Sequence, residues 1–381
     1  MTATLNIAAG ALADDEWAGA PRIPLDVLTQ FARSVFEEVG LTPDDAAIAA
    51  ESTVIADLRG IDSHGVARLP MYARRVRDGL INLEAELVVV RESPSSVAFD
   101  ARNGMGLVLA PQGMSRCIDK AETTGICLAT VRNSNHFGIV GYYALLAAKR
   151  GLLGMAMTNA SPLVAPTFGA KPMVGTNPLA IAVPTASGQP VLLDMSTSTV
   201  AWGKIEIARR ANKPIPAGWA CDAEGLPTTD PFAARSLTPL GGERSRGGHK
   251  GYGLAVIVDV LCGPLAGAAW SAAISGAASG RYTNSGIGHA FMAWRIDAFR
   301  EPDEFYQDLD AMLAGLRATP PAPGHEATGV LVPGDPENAA EARNRAEGVP
   351  IKLAVLAELR ILADNLGLAF ALEDAINDSP G

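Results

Sequence analysis

Between about residue 86 and residue 296, short apolar runs of strand type alternate with longer stretches of helical period. This alternation confines the chain to the α/β folds. Residues 88–90, 97–99, 126–131, 152–157, 179–183, 191–194 and 291–296 read as strands. Residues 110–123, 142–149, 200–211 and 252–267 read as helices, the last of them long and very apolar. Residues 212–249 form a Gly/Pro-rich stretch, too long for a bare connector and therefore a functional candidate.

Both ends of the chain read as helical. Leu28, Phe31, Val35 and Phe36 form one stripe of a helix over 25–39, stopped by Gly40. Thr42, Pro43, Asp44 and Asp45 then restart a helix as N-cap, first-turn proline and acids on the helix dipole. That helix runs to 59–60, and a third starts between Ser63 and Val66 and stops at Gly79. Beyond the last strand, 302–317, 336–347 and 350–366 are helical, and the first twenty residues read as a flexible tail. The expected organisation is a tail (1–20), a mostly helical N-terminal segment (21–104) and an α/β domain (105–300). A C-terminal helical segment (301–381) packs back on the N-terminal part.

Composition narrows the function. With 381 residues, 48% apolar and 19% charged, the chain can bury a large core. Its net charge of −10 makes nucleic acid or an anionic membrane a poor partner, because phosphate binding needs clustered Lys and Arg. Cys117, Cys127, Cys221 and Cys262 are spaced neither for zinc nor for a disulfide framework, which points to a reducing cytoplasm and no metal. Asp14, Asp15 and Glu16 do not read as part of a signal peptide, and no run reaches the ~20 apolar residues of a membrane helix.

There are five histidines. His64 sits in Asp62-Ser63-His64-Gly65 with Arg68 four residues later, on one face of the expected helix. An imidazole beside a guanidinium suits a substrate with a carbonyl or hydroxyl next to a carboxylate. The same residues also read as a helix cap followed by a histidine without chemistry. His136 follows the strand 126–131, where α/β proteins place ligands, and 138–142 enters a helix whose N–H groups suit a phosphate. A plain strand-turn-helix link fits equally. Gly247 to Gly253, holding His249 and Lys250, is either an anion cradle or a glycine-rich loop feeding a buried helix. His289 reads as structural, and His325, in proline-rich text, as exposed. No GxGxxG, HExxH, paired CxxC or GxSxG occurs, so a classical dinucleotide fold, a zinc hydrolase and an α/β-hydrolase have no motif behind them.

Together these segments resemble the malate/L-lactate dehydrogenase family of the non-Rossmann type, which includes ureidoglycolate dehydrogenase, diketogulonate reductase and the piperideine-2-carboxylate (ketimine) reductases. The resemblance rests on DSHGVARLPMY (62–72), NSNHFGIVGYY (133–143), TNASPLVAP (158–166), GTNPLAIAVP (175–184), LLDMSTS (192–198), GLPTTDP (225–231) and GGHKGYGLAVIVDVLCG (247–263). GHAFMAWRID (288–297) and VPGD (332–335) complete it, in the same order, over about 25–350.

The resemblance implies a central non-Rossmann nicotinamide-binding α/β domain between helical segments. It also implies hydride transfer between NAD or NADP and a small 2-oxo or 2-hydroxy acid, in a homodimer. It makes His64 the proton donor, supported by Ser63, with His136 as the acid/base of some members and Lys204 as a further catalytic residue. Arg68, Thr176, Trp202 and Gly203 fall at substrate positions. The cofactor positions are Phe137, Gly138, Ile139, Val140, Gly141, Asp194, Met195, Ser196, His249, Lys250, Pro333, Gly334 and Asp335. Lys204 departs from the ketimine reductases, which carry an acid there, and so favours a hydroxy acid over a cyclic imine or sugar-derived oxo acid. A cofactor-free lyase or isomerase is the reading of another class.

Overall fold

A computed structural model describes residues 19–274 and 285–373, so most of the expected N-terminal tail lies outside the described residues. The chain divides into two compact units.

The first unit comprises residues 1–79, 183–192 and 299–381. Its helices are α1 (Leu25–Glu38), α2 (Pro43–Leu58), α3 (Leu69–Arg77), α8 (Pro302–Arg317), α9 (Asp335–Glu347) and α10 (Leu353–Leu366). α1 buries the expected stripe of Leu28, Phe31, Val35 and Phe36. α2 starts as its capping residues dictate, with the Thr42 side chain accepting from the Asp45 N–H at 3.2 Å. Strand β1 (Arg22–Ile23) pairs antiparallel with β12 (Val349–Pro350), tying the entry to α1 to the link between α9 and α10. Arg59, at the end of α2, is 3% exposed and donates to Glu341 (2.6 Å) and Asn338 (3.0 Å) of α9. Asn344 of α9 donates to the carbonyl of Leu58. The N- and C-terminal helical segments thus form one core.

The second unit holds residues 80–182 and 193–298, so 80–104 go with the sheet. Among the described residues, seven strands run in the order β2-β3-β4-β11-β5-β6-β7. They are β2 (Val88–Ser93), β3 (Ser96–Asp100), β4 (Ile126–Ser134), β5 (Leu152–Thr158), β6 (Leu179–Val183), β7 (Val191–Met195) and β11 (Ile287–Arg295). β3 and β4 are parallel, joined by α4 (Gly106–Thr124). β11 inserts between β4 and β5, antiparallel to both. A mixed sheet with an antiparallel strand at its centre is not the all-parallel doubly wound arrangement, in agreement with the missing GxGxxG.

The loop stretch 212–249, too long for a bare connector, carries β8 (Ala220–Cys221), β9 (Pro227–Thr228) and β10 (Ser236–Leu237), paired as a small antiparallel sheet. The apolar helix expected at 252–267 is α7 (Gly248–Cys262), which begins four residues earlier because the left-handed Gly247 turns the chain into it. It is also not buried all round, with Ile257 55% and Val260 44% exposed. Among the described residues no helix is long and apolar enough to cross a membrane.

Candidate active site

In the first unit the candidate chemistry sits between α2 and α3. The helix expected to start at 63–66 instead forms two 3₁₀ turns, Asp62–His64 and Val66–Arg68, broken at Gly65, and α3 begins only at Leu69. The cause is Asp57, the one carboxylate on the buried stripe Ala46-Ala50-Thr53-Asp57 of α2. Its carboxyl accepts the Val66 N–H at 2.7 Å and lies against the α-carbon of Gly65, where a β-carbon would stand 2.0 Å from it. Burial pushes this carboxyl up to about 8, with the Val66 N–H opposing and Asp62 adding to the rise. It is therefore mostly neutral at neutral pH.

The turn brings Ser63, His64 and Arg68 together by a route other than a shared helix face. Ser63 Oγ and His64 Nδ1 share a hydrogen bond at 2.9 Å, and Arg68 Nε donates to the Ser63 carbonyl at 2.6 Å. Asp62, outside this set, pairs with Lys352 at the start of α10 at 2.7 Å. Burial, and then the Arg68 cation, push the His64 imidazole down to about 4, against the pull of Asp62. Neither Asp57 nor Lys352 was singled out from the sequence. A lone acid on a helix stripe of otherwise small, uncharged residues is the signal that marks Asp57; nothing local marks Lys352.

Gly65→Ala tests this support. The extra methyl overlaps a buried carboxyl and should cost about 1–3 kcal/mol, as overpacking does. Gly315→Ala, in α8 where a β-carbon meets open space, should instead stabilise by about 0.5–1 kcal/mol. Urea unfolding of the two variants measures both.

The first unit also holds Pro333, Gly334 and Asp335. Asp335 is occupied structurally: it pairs with Arg317 at 2.7 Å and accepts the Val332 N–H at 3.0 Å. Although burial pushes its carboxyl up, those partners hold it below the usual range. Gly334 is left-handed and packs on the Leu192 backbone, where a β-carbon would lie 2.9 Å from the nitrogen.

In the second unit, Phe137 to Gly141 lead into α5 (Val140–Ala148). The side chains of Phe137, Ile139 and Val140 are buried, and Gly138 is left-handed with its N–H 3.3 Å from His136 Nδ1. The N–H groups expected to face a phosphate are partly spoken for, since Gly141 donates to the Asp194 carboxylate at 2.8 Å. Asp194 and Met195 end β7, and the Ser196 hydroxyl lies 3.1 Å from that of Ser198. Thr176 is fixed by Thr197, whose N–H and hydroxyl donate to its carbonyl at 2.8 and 2.9 Å. Its neighbour Asn177 accepts from the Ala160 N–H and donates to Ala255 of α7.

Trp202, Gly203 and Lys204 open α6 (Trp202–Ala211). Gly203 and Lys204 are exposed, but Trp202 is half-buried against a core cluster that includes Ile205 and Leu237, with Arg209 stacked 5.3 Å from its ring. His249 and Lys250 are exposed in the first turn of α7. The surrounding glycines serve close backbone packing: a β-carbon at Gly248 would stand 1.7 Å from the Gly242 oxygen, and one at Gly251 2.2 Å from that of Leu240. Among the described residues no group of three or more His, Cys, Asp or Glu is placed to hold a metal.

Known proteins match this arrangement. The family model for malate/L-lactate dehydrogenase matches residues 23–360. The malate dehydrogenase of Pyrococcus abyssi is 42% identical, covering 91% of this chain and 95% of that one. The L-sulfolactate dehydrogenase of Methanothermobacter thermautotrophicus is 34% identical over 93% and 99%. The solved structure of malate dehydrogenase from Pyrococcus horikoshii OT3 superposes with a TM-score of 0.85 at 36% identity, covering 95% of this chain and 99% of that one.

Proposed function

The chain belongs to the malate/L-lactate dehydrogenase family and is an oxidoreductase of 2-hydroxy acids; from that premise we propose that His64 moves the proton and Arg68 holds the substrate carboxylate. A nicotinamide dinucleotide, NAD or NADP, supplies or accepts the hydride when bound. The observation that carries the reading is the turn 62–68. One short segment fixes an imidazole through Ser63 Oγ and a guanidinium through the Ser63 carbonyl. A 2-oxo acid then presents its carbonyl to His64 and its carboxylate to the outer nitrogens of Arg68. Burial is the larger cause of the depressed imidazole; the substrate carboxylate offsets the second, the Arg68 charge.

Thr176, Trp202, Gly203 and Lys204 are the further substrate contacts of this reading, with His136 as the alternative acid/base. Trp202 acts chiefly by holding the start of α6, given its packing. The residues present suit a dinucleotide. The first turn of α7 has no side-chain cap and carries the exposed Lys250, and Arg244 and Arg246 lie in the 3₁₀ turn just before it, a combination that favours a phosphate. Asp194, a carboxylate already seated on the α5 N-terminus, repels phosphate and suits hydroxyl or amide groups of the cofactor instead. Phe137 to Gly141, Met195, Ser196, His249 and Pro333 to Asp335 complete the proposed cofactor set. A homodimer in a reducing cytoplasm accords with the four free thiols and with the exposed Ile257 and Val260 of α7.

The test is loss of reduced-nicotinamide absorbance with NADH and NADPH against pyruvate, oxaloacetate, diketogulonate and piperideine-2-carboxylate. Turnover confined to the cyclic imine, or none with any acid, overturns the hydroxy-acid assignment of substrate. For the cofactor end, Lys250→Ala should weaken NAD(P)H binding while leaving kcat at saturating cofactor near wild type, because a phosphate contact is uniform binding. Unchanged affinity in a fluorescence titration removes the phosphate from α7.

A further inference from the structure

His289 is fully buried near the start of β11, and the proposed reaction does not use it. Its Nδ1 lies 2.8 Å from Thr158 Oγ1 on β5, and its Nε2 lies 2.8 Å from Ser134 Oγ at the end of β4. The direction of this chain follows from the hydroxyl protons. Thr158 Oγ1 is 3.1 Å from the carbonyls of Asn159 and Gly288, which only accept, so its single proton goes there and it accepts from His289. Nδ1 therefore carries the ring proton, and Nε2 accepts from Ser134. Burial pushes this imidazole down to about 3, so it stays neutral and keeps that tautomer at working pH.

A break in the sheet aims the ring. The β4–β11 pairing steps from Ile287↔Ser134 to His289↔Val131, which leaves an extra residue in β4, and Asn133 takes the left-handed conformation there. The bulge turns the Ser134 hydroxyl onto His289. The imidazole lies flat on Phe137, with ring centroids 4.2 Å apart and planes 3° apart. Phe137 stacks on its other face against Tyr143 at 4.3 Å, and the Tyr143 hydroxyl donates to the Phe137 carbonyl. His289, Phe137 and Tyr143 are thus three layers, with the middle one in the segment 136–141.

We infer that His289 is a positioning residue: its hydrogen-bonded, neutral ring is the platform that sets Phe137, and through it the cofactor-facing backbone from His136 to Gly141. The inference rests on the cofactor assignment above for its functional consequence, but not for its structural one. A platform that preorganises a binding segment acts on cofactor affinity and leaves saturated turnover largely unchanged.

The experiment compares wild type, His289→Leu, His289→Phe and, as a destabilised control in α4, Ile118→Ala. Dissociation constants for NADH and NADPH are measured by fluorescence well below each melting temperature, and amide hydrogen exchange is followed over 136–143 without cofactor. His289→Leu removes ring and hydrogen bonds; it should raise the cofactor Kd and KM about tenfold with kcat near wild type, and speed exchange over 136–143. His289→Phe keeps a ring under Phe137 and should recover most of the affinity. Ile118→Ala should lower the melting temperature with Kd unchanged. If His289→Leu also only lowers the melting temperature, with Kd and exchange as in wild type, the inference is overturned. If wild type binds neither dinucleotide, the cofactor assignment falls, and the exchange measurement still decides whether His289 holds the segment.

Discussion

His64→Ala should lower kcat by about 10² to 10⁴, the usual contribution of a positioned acid or base, with cofactor affinity near wild type. The ring that Ser63 Oγ holds through Nδ1 is the group lost, and alanine brings no titratable atom to its place. The pH dependence checks the assignment. With the free imidazole pushed down to about 4, His64 is an unprotonated base across the neutral range. Wild-type kcat/KM for hydroxy-acid oxidation, corrected for titration of the acid itself, should fall on the acid side as pH drops through about 4, where His64 becomes protonated. His64→Ala should lose that limb. Near-wild-type turnover in His64→Ala would transfer the role to His136.

Arg68→Met should cost about 2–4 kcal/mol in kcat/KM for a 2-oxo acid, the range for removing one partner of a desolvated charge pair. Arg68→Lys should recover little of it. Arg68 bonds the Ser63 carbonyl through Nε, and in the proposed pose its two outer nitrogens are the fork that takes the carboxylate. A lysine has one ammonium for both tasks, so it either leaves Ser63 or leaves the carboxylate, and the carbonyl is misplaced in each case. Steady-state rates with the acid and with its amide analogue separate the roles. Wild type should handle the amide poorly, and Arg68→Met should lose little more on it. Equal losses on acid and amide would make Arg68 a structural residue of the turn.

How much of this was legible beforehand depended on the range of the interactions involved. The element order and the α/β class were written locally. Thr42 and Pro43 cap α2, the apolar stripe of α1 has helical period, and the strand runs are short and apolar; each signal spans a few residues, and the fold leaves these elements as written. The order of motifs from Asp62 to Asp335 likewise carries the family likeness in the sequence itself. Tertiary structure alone decided how the pieces act. β11 is late in the chain yet sits between β4 and β5, since strand pairing is set by long-range hydrogen bonding that leaves no periodic trace. The expected helix through His64 is broken because a carboxyl from α2 claims the Val66 N–H and the space over Gly65, a desolvated contact that helix propensity cannot register. His289 read as a bland residue for the same reason. Its partners lie on two other strands, so only the folded sheet makes it a neutral ring with one tautomer and one stacking face.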